Sequence, residues 1–234
     1  MKLTTEQVAR LYQFTRQHFV EWYDLQTELV DHLANSIETQ WQENPKIDFE
    51  DALKVEFKKF GVFGFMDVVE KRQATLGKKY NRLIWKHFKE FFTIPKIFLT
   101  TVLVLSLFLF FKLVYSYEIV VIAMAAIFVM MIPALIFERK KLKKRAEKTG
   151  KKWMFEEIIS GYGSFSAIFL LPIHVFNFFS NRNVAIPNDY VLFGISLFLI
   201  CLVLSCYIIV KIIPSKAEEY LKETYPEYEL VNAM

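Results

Sequence analysis

The apolar and polar positions divide this chain into two unlike parts. Residues 1–77 place apolar side chains at helical spacing between charged ones, whereas the chain beyond residue 96 holds four long apolar runs. The runs cover about 97–115, 119–137, 158–179 and 190–213. A transmembrane helix needs about 20 consecutive apolar residues, so each run is long enough to cross a bilayer. The pattern predicts an all-α protein: a small cytoplasmic helical bundle followed by a four-helix transmembrane bundle.

The first part begins with two helices that local signals delimit. Thr4 and Gln7 form a capping-box pattern, which predicts a first helix over 5–17. Asp24 has a short carboxylate that suits a helix N-cap, and apolar side chains then recur at helical spacing. We therefore expect Asp24 to cap a second helix that runs to about Glu43.

A third helix closes this predicted domain. Asp48 is expected to cap it, and Gly61 to end it, because glycine tolerates the left-handed backbone conformation. The aliphatic and aromatic faces of the three helices are sufficient for a small core. We assign residues 1–77 to one cytoplasmic helical domain.

Residues 78–96 form a connector in which basic and aromatic side chains alternate. This mixture is typical of a helix at an anionic lipid surface. The predicted membrane-interface anchors are Trp85, Lys86, Phe88 and Lys89. The tail over 214–234 is predicted to be cytoplasmic and to form a short surface helix followed by a flexible end, and we assign it no role.

Charge determines the expected orientation of the membrane part. Charged residues make up 23% of the chain and hydrophobic residues 54%, with a net charge of +4. Lys and Arg concentrate in 139–152 and in the connector, whereas 181–190 contains only Arg182. By the positive-inside rule, both termini and the basic segment are expected to be cytoplasmic, in a bacterial inner membrane. The charge then contacts anionic headgroups; nucleic-acid binding is the rival interpretation, and we expect no direct nucleic-acid binding.

Part of the predicted head resembles a known family over about residues 5–75. The matching features are Glu28-Leu29, His32 and Ile37-Glu38, then Asp48-Phe49-Glu50-Asp51-Ala52-Leu53, and finally Phe57-Lys58-Lys59-Phe60-Gly61. In this order they resemble the small helical domain called HAAS. The resemblance implies a cytoplasmic head on a bacterial membrane protein of few spans, or one that precedes a permease subunit. It also implies an association with a regulator of the PadR type.

Four polar side chains of the second helix are candidate functional positions: Asp24, Glu28, Asp31 and His32. Their spacing of three or four residues places them on one side of the helix, where they could bind a divalent metal. The alternative is structural: the carboxylates favour a helix N-terminus, and His32 packs against a neighbouring aromatic ring. No ligand group from another helix is evident, so we expect neither a metal nor a cofactor.

The membrane runs contain few polar side chains, and these are informative because they are costly in lipid. Lys112 lies near the outer end of the first run, where it either extends to the interface or binds a substrate. His174 and Asn177 lie one turn apart in the third run. They either line a polar pocket or proton path, or belong to a tightly packed helix.

The functional expectation rests on this division, because no phosphate loop, dinucleotide fingerprint, zinc helix or nucleophile elbow is present. An enzyme is not expected. The leading hypothesis is a bacterial inner-membrane sensory or regulatory protein whose head binds a cytosolic protein. A small transporter or permease subunit is the alternative, together with a structural scaffold in a membrane complex. The sequence leaves the oligomeric state open.

Overall fold

A computed structural model describes residues 2–114, 116–161 and 188–228, together with His174 and Asn177. These residues form helices and no β-strand. The chain divides into two compact units. The head unit consists of Met1–Leu76, Lys144–Glu157 and Leu221–Met234, and the membrane unit of Gly77–Lys143 and Ile158–Tyr220. Most of the predicted third span, 158–179, lies outside the described residues.

The head unit begins with α1, over Thr5–Gln17, and its predicted bounds are confirmed. The Thr4 side chain accepts a hydrogen bond from the Gln7 backbone N–H, and the Gln7 side chain accepts one from the Thr4 N–H. Both parts of the capping box are therefore present, and they satisfy two backbone donors at the start of α1.

Helix α2 covers Tyr23–Glu43, and its N-cap is Trp22, which makes no side-chain capping bond. The prediction that Asp24 caps α2 was therefore wrong. Asp24 is already inside the helix and is buried, because its carboxylate is used by another part of the chain, as described below.

Helix α3 covers Phe49–Lys58, and the Asp48 side chain caps it by accepting from the Glu50 N–H at 3.1 Å. Gly61 then adopts φ +79° and turns the chain, as predicted. The next helix, α4, covers Met66–Glu90.

The core of the head unit extends into two segments far from residues 1–76 in sequence. Trp153 is almost fully buried. Its ring centroid lies 5.4 Å from that of Tyr23, 4.8 Å from Tyr225 and 5.1 Å from Tyr228. We predicted a surface tail without a role, but Tyr225 and Tyr228 are buried. Residues 221–228 of the tail and the segment around Trp153 therefore belong to the head core.

Among the residues that the structure describes, three helices are long and apolar enough to cross a membrane. They are α5 (Lys96–Leu113), α6 (Tyr117–Thr149) and α8 (Asp189–Tyr207). Helix α7 (Met154–Ser160) lies between the last two, and α8 continues through a π-helical turn (Ile208–Ile212) into α9 (Ile213–Ser215) and α10 (Ala217–Thr224).

Helix α6 extends well beyond the apolar run that we predicted to end at residue 137. Its second half contains Lys, Arg and Glu, which have high helix propensity, and no glycine interrupts it before Gly150. Gly150 has φ +65°, a conformation that ends helices. The basic segment over 139–148 is therefore helical.

Helices α5 and α8 pack against each other in antiparallel directions. Lys112 of α5 pairs with Asp189 of α8 at 2.8 Å, and the rings of Phe108 and Phe193 lie 6.1 Å apart. Residue numbers fall along one helix as they rise along the other, so the two helices run in opposite directions.

The outer faces of these helices are apolar and exposed. Leu109, Phe110, Val129 and Met130 are all exposed in the chain by itself. Exposed apolar side chains in such numbers are typical of a contact with lipid or protein, and helices of this length and hydropathy fit a bilayer. The protein is therefore a membrane protein.

Truncating Trp153 should loosen the tail from the head. Trp153→Ala removes the ring that contacts Tyr23, Tyr225 and Tyr228, and a buried aromatic truncation costs about 3–5 kcal/mol. We expect faster trypsin cleavage after Lys222 in detergent solution, measured by mass spectrometry. Trp85→Ala, which truncates an exposed tryptophan, is the matched control. Equal cleavage rates in all three proteins would contradict the role of Trp153.

Candidate functional site

Asp24 caps α7, although it belongs to α2. Its Oδ1 atom accepts a hydrogen bond from the Met154 N–H at 3.1 Å, and Met154 is the first residue of α7. The first N–H groups of a helix have no partner within the helix. The Tyr225 hydroxyl accepts from the next one, the Phe155 N–H, at 3.2 Å. Side chains from α2 and from the tail thus satisfy consecutive donors of α7.

Burial perturbs both capping groups. Desolvation raises the pKa of the Asp24 carboxyl above its ordinary value, although the Met154 N–H, the Tyr225 hydroxyl and the Arg72 charge each act to lower it. Burial, together with the charge of Asp24, also raises the pKa of Tyr225. A charged carboxylate is costly to bury. The stability of the junction between α2, α7 and the tail therefore depends on whether Asp24 is protonated.

Polar contacts continue around the buried junction. The Trp22 indole N–H donates to Glu157 at 2.7 Å, and the Tyr23 backbone N–H donates to the carbonyl oxygen of Lys152 at 2.7 Å. Lys152 also pairs with Glu21 at 2.8 Å, and this partner raises the pKa of Lys152. The start of α2 is therefore connected to residues 152–157 by several independent bonds.

A second group of bonds joins this segment to the tail. Arg145 donates to Glu156 at 2.8 Å and to the Tyr228 hydroxyl at 2.7 Å. The guanidinium has several donors in a fixed plane and therefore contacts both partners at once. Together with the Trp153 contacts, this fixes residues 145–156 and the tail within one unit.

The four candidate side chains of α2 do not form one site. Asp24 is buried, whereas Asp31 and Glu28 are exposed. Glu28 pairs with Arg72 at 3.8 Å, and the His32 ring packs edge-on against Phe60 at 5.9 Å. Within the described part of the chain, no group of three His, Cys, Asp or Glu side chains is placed to hold a metal ion.

The polar candidates of the membrane unit are all exposed. Lys112 pairs with Asp189 and lies 5.9 Å from the centre of the Phe108 ring. His174 and Asn177 are helical and exposed. Over the described residues, the structure records no contact between Lys112 and either of the other two.

The predicted interface anchors lie together on α4, where Trp85, Lys86 and Lys89 are exposed and Phe88 is half-buried. Trp85 is 58% exposed and stacks on Phe88 with a centroid distance of 5.4 Å. The Lys89 ammonium lies 5.6 Å from the centre of the Trp85 ring, and Lys86 is exposed. An aromatic ring beside a cation suits the headgroup region, so their role as anchors stays a prediction.

His87 forms a buried polar link that we did not predict. Its Nε2 atom lies 2.7 Å from the Tyr220 hydroxyl and its Nδ1 atom lies 3.1 Å from Glu90. The link joins α4 to α10, the helix after the last span. A histidine among connector aromatics gives no sequence signal for such a partner, because Tyr220 is 133 residues away.

An exposed apolar turn follows α3 on the head unit. Val62 is 98% exposed and Phe63 71% exposed. Two glycines with positive φ, Gly61 and Gly64, bound the turn. A Cβ atom on Gly64 would lie 2.8 Å from the Phe57 ring, so glycine is needed there for close packing. Val62 and Phe63 are thus held outward by a constrained backbone.

Acidic side chains flank this turn. A cavity of about 370 Å³ is lined by Phe63, Met66, Asp67, Val69, Glu70 and Gln73. We call Val62, Phe63 and Met66, with the neighbouring carboxylates Asp67 and Glu70, the acidic-apolar patch. The sequence marks it only by consecutive apolar residues directly after Gly61.

No protein-family model, no curated protein and no solved structure matches this chain.

Replacing Asp24 with asparagine should change how stability depends on pH. Asparagine keeps an acceptor for the Met154 N–H but carries no charge. The raised pKa means that the folded head retains the Asp24 proton to higher pH than the unfolded chain. The wild type should therefore lose stability relative to Asp24→Asn as the pH rises above the ordinary aspartate pKa of about 3.9.

This divergence is measured by urea unfolding of the protein in detergent between about pH 4 and pH 7. Fluorescence of Trp22, Trp41 and Trp153 reports on the head unit. Asp24→Ala removes the acceptor and should destabilise the head at every pH. If the difference in unfolding free energy between the wild type and Asp24→Asn stays constant with pH, the raised pKa of Asp24 is contradicted.

Proposed function

We propose that this chain is a bacterial inner-membrane sensory or regulatory protein whose cytoplasmic head binds a protein partner and whose four spans anchor it. The observation that carries the proposal is the acidic-apolar patch. An enzyme is not part of this proposal.

The chemistry of the patch favours a protein as its occupant. Burial of side chains such as Val62 and Phe63 against a partner is favourable, by roughly 25 cal/mol per Å² of apolar surface removed from water. Asp67 and Glu70 beside them are repelled by an anionic lipid surface and attract basic side chains. The fitting occupant is therefore an amphipathic segment of a cytosolic protein with apolar and basic residues on one face. The HAAS resemblance makes a PadR-like regulator one candidate for this partner.

The head unit is made of three segments of the chain, which supports placing all three on the cytoplasmic side of the membrane. Residues from the N-terminal part, from 144–157 and from the tail pack into one core. They therefore lie on one side of the membrane. Lys and Arg are concentrated next to these segments, which favours the cytoplasmic side.

The direction of the helices supports a fourth crossing. If α5 leaves the cytoplasm and α6 returns to it, residues 150–161 are on the cytoplasmic side. Because α8 is antiparallel to α5, it must begin on the opposite side. We therefore propose a fourth crossing between residues 161 and 188, where the sequence predicts an apolar run.

A photo-crosslinker in the acidic-apolar patch should capture the partner in cells. Benzoylphenylalanine placed at Val62 is expected to give a discrete adduct with one cytosolic protein, identified by mass spectrometry. In the reciprocal experiment, the crosslinker is placed in the contacting segment of the partner, which should then capture this chain. Phe63→Asp should lower the adduct yield at least about tenfold, because it places a charge in the apolar contact.

The same crosslinker at Val55, an exposed valine of α3, is the matched control. An adduct that forms equally from both positions, or that survives Phe63→Asp, would count against the patch as a docking surface. The absence of any protein adduct from Val62 would refute the proposal.

The fourth crossing is tested by cysteine accessibility. In a background with Cys201 and Cys206 replaced by alanine, Ser180→Cys should react with a membrane-impermeant maleimide in intact spheroplasts. Glu43→Cys, on the exposed end of α2, should react only after permeabilisation. Labelling of Glu43→Cys in intact spheroplasts would contradict the proposed orientation. Protection of Ser180→Cys until permeabilisation would contradict the fourth crossing.

A further inference from the structure

A second cavity of the head unit, of about 310 Å³, is lined by basic side chains. The charged and polar residues around it are Arg16, Glu21, Tyr23, Gln26, Lys151 and Lys152. Arg16 comes from the last turn of α1, and the two lysines follow α6. The cavity therefore exists only where residues 150–152 are docked on the start of the chain. Its size is at the lower end of the range for small-molecule sites.

The lining carries a net positive charge, because three cations face one carboxylate. Lys152 Nζ is 2.8 Å from Glu21. The Lys151 ammonium lies 4.2 Å from the centre of the Tyr23 ring, a cation–π distance. Both lysine side chains are thus positioned by neighbouring groups at the cavity. Positioned cations lose less conformational entropy when an anion binds.

The base of the cavity is also ordered. Gln26 is buried, and its side-chain amide donates to the carbonyl oxygen of Val20 at 2.6 Å. Its Oε1 atom accepts from Arg16 Nε at 3.5 Å. Over the described residues, this is the one hydrogen bond that the protein supplies to the Arg16 guanidinium, so its terminal nitrogens are available to a ligand. A guanidinium offers paired donors that match a phosphate group.

We propose that this cavity binds the phosphate group of a small phosphorylated molecule. Arg16 donates hydrogen bonds to the phosphate oxygens, and Lys151 and Lys152 neutralise its charge. The Glu21 carboxylate repels negative charge on the ligand. It therefore orients the phosphate toward the cations and disfavours a ligand with negative charge on every side. The same phosphate chemistry occurs in a soluble metabolite and in an anionic lipid headgroup.

Binding at this position has a mechanical consequence for the head. The ligand contacts α1 and residues 151–152 together, so it stabilises the docked arrangement of these segments over any arrangement in which they separate. The segment that is held in this way leads directly from α6, a candidate span. The site is separate from the acidic-apolar patch, so its failure would leave the proposed partner binding intact.

The test is calorimetric titration of the full-length protein in an uncharged maltoside detergent. One arm uses inorganic pyrophosphate and the other uses short-chain phosphatidylglycerol, each to about 1 mM. Heat from pyrophosphate supports a soluble phosphorylated ligand, and heat from the lipid alone supports a headgroup. Arg16→Gln and Lys151→Gln should each weaken binding at least about tenfold, because each removes a charged partner of the phosphate.

Lys46→Gln and Lys58→Gln make the same charge change at exposed positions of the head unit outside the cavity, and they should bind as the wild type does. Hydrogen exchange on the wild type gives a readout that needs no variant. The probe that gives binding heat, pyrophosphate or phosphatidylglycerol, should slow hydrogen exchange of the backbone amides of residues 19–23 and 150–152. Saturable binding that is equally weakened by the control variants, or that leaves exchange at these amides unchanged, would overturn the site. So would the absence of heat from both probes.

Discussion

The capping of α7 by Asp24 is the interaction on which the arrangement of the head depends. A helix start carries N–H groups that no residue of the helix can satisfy, and a buried one needs acceptors from elsewhere. Asp24 and Tyr225 supply them from opposite ends of the chain. Trp153, directly before α7, fills the space between the same elements. One short helix therefore holds together three segments that are distant in sequence.

This arrangement makes the head a composite of the chain rather than an independent N-terminal module. The segments after α6 and after α10 enter its core, so a change in the position of either would expose Trp153 or leave the Met154 N–H without its acceptor. The regulatory function proposed above would use such a link between a partner-binding head and the candidate spans. The basic cavity lies at the same link, where a bound anion would strengthen it.

Over the described residues of the membrane unit, few polar bonds supplement the contacts between helices. Lipid provides no hydrophobic driving force for helix association, so packing of side chains such as Phe108 and Phe193 decides which helices pair. Lys112 pairs with Asp189 at one end of that contact, and the His87–Tyr220 bond ties the connector to the helix that follows the last span. The first bond joins two candidate spans, and the second joins the helices that precede and follow them.

The sequence by itself determined the local elements. The capping box at Thr4, the Asp48 cap, the turn at Gly61 and the long apolar runs depend on residues a few positions apart, so their patterns are legible along the chain. Asp24 shows the limit: its type and position suit a cap, but the helix that it caps lies about 130 residues away. Only the tertiary structure decided that the tail tyrosines are buried, that His87 bonds Tyr220 and that Lys151 and Lys152 line one cavity with Arg16. Each of these contacts joins segments that no periodicity connects, and burial and hydrogen-bond geometry are properties of the folded chain alone.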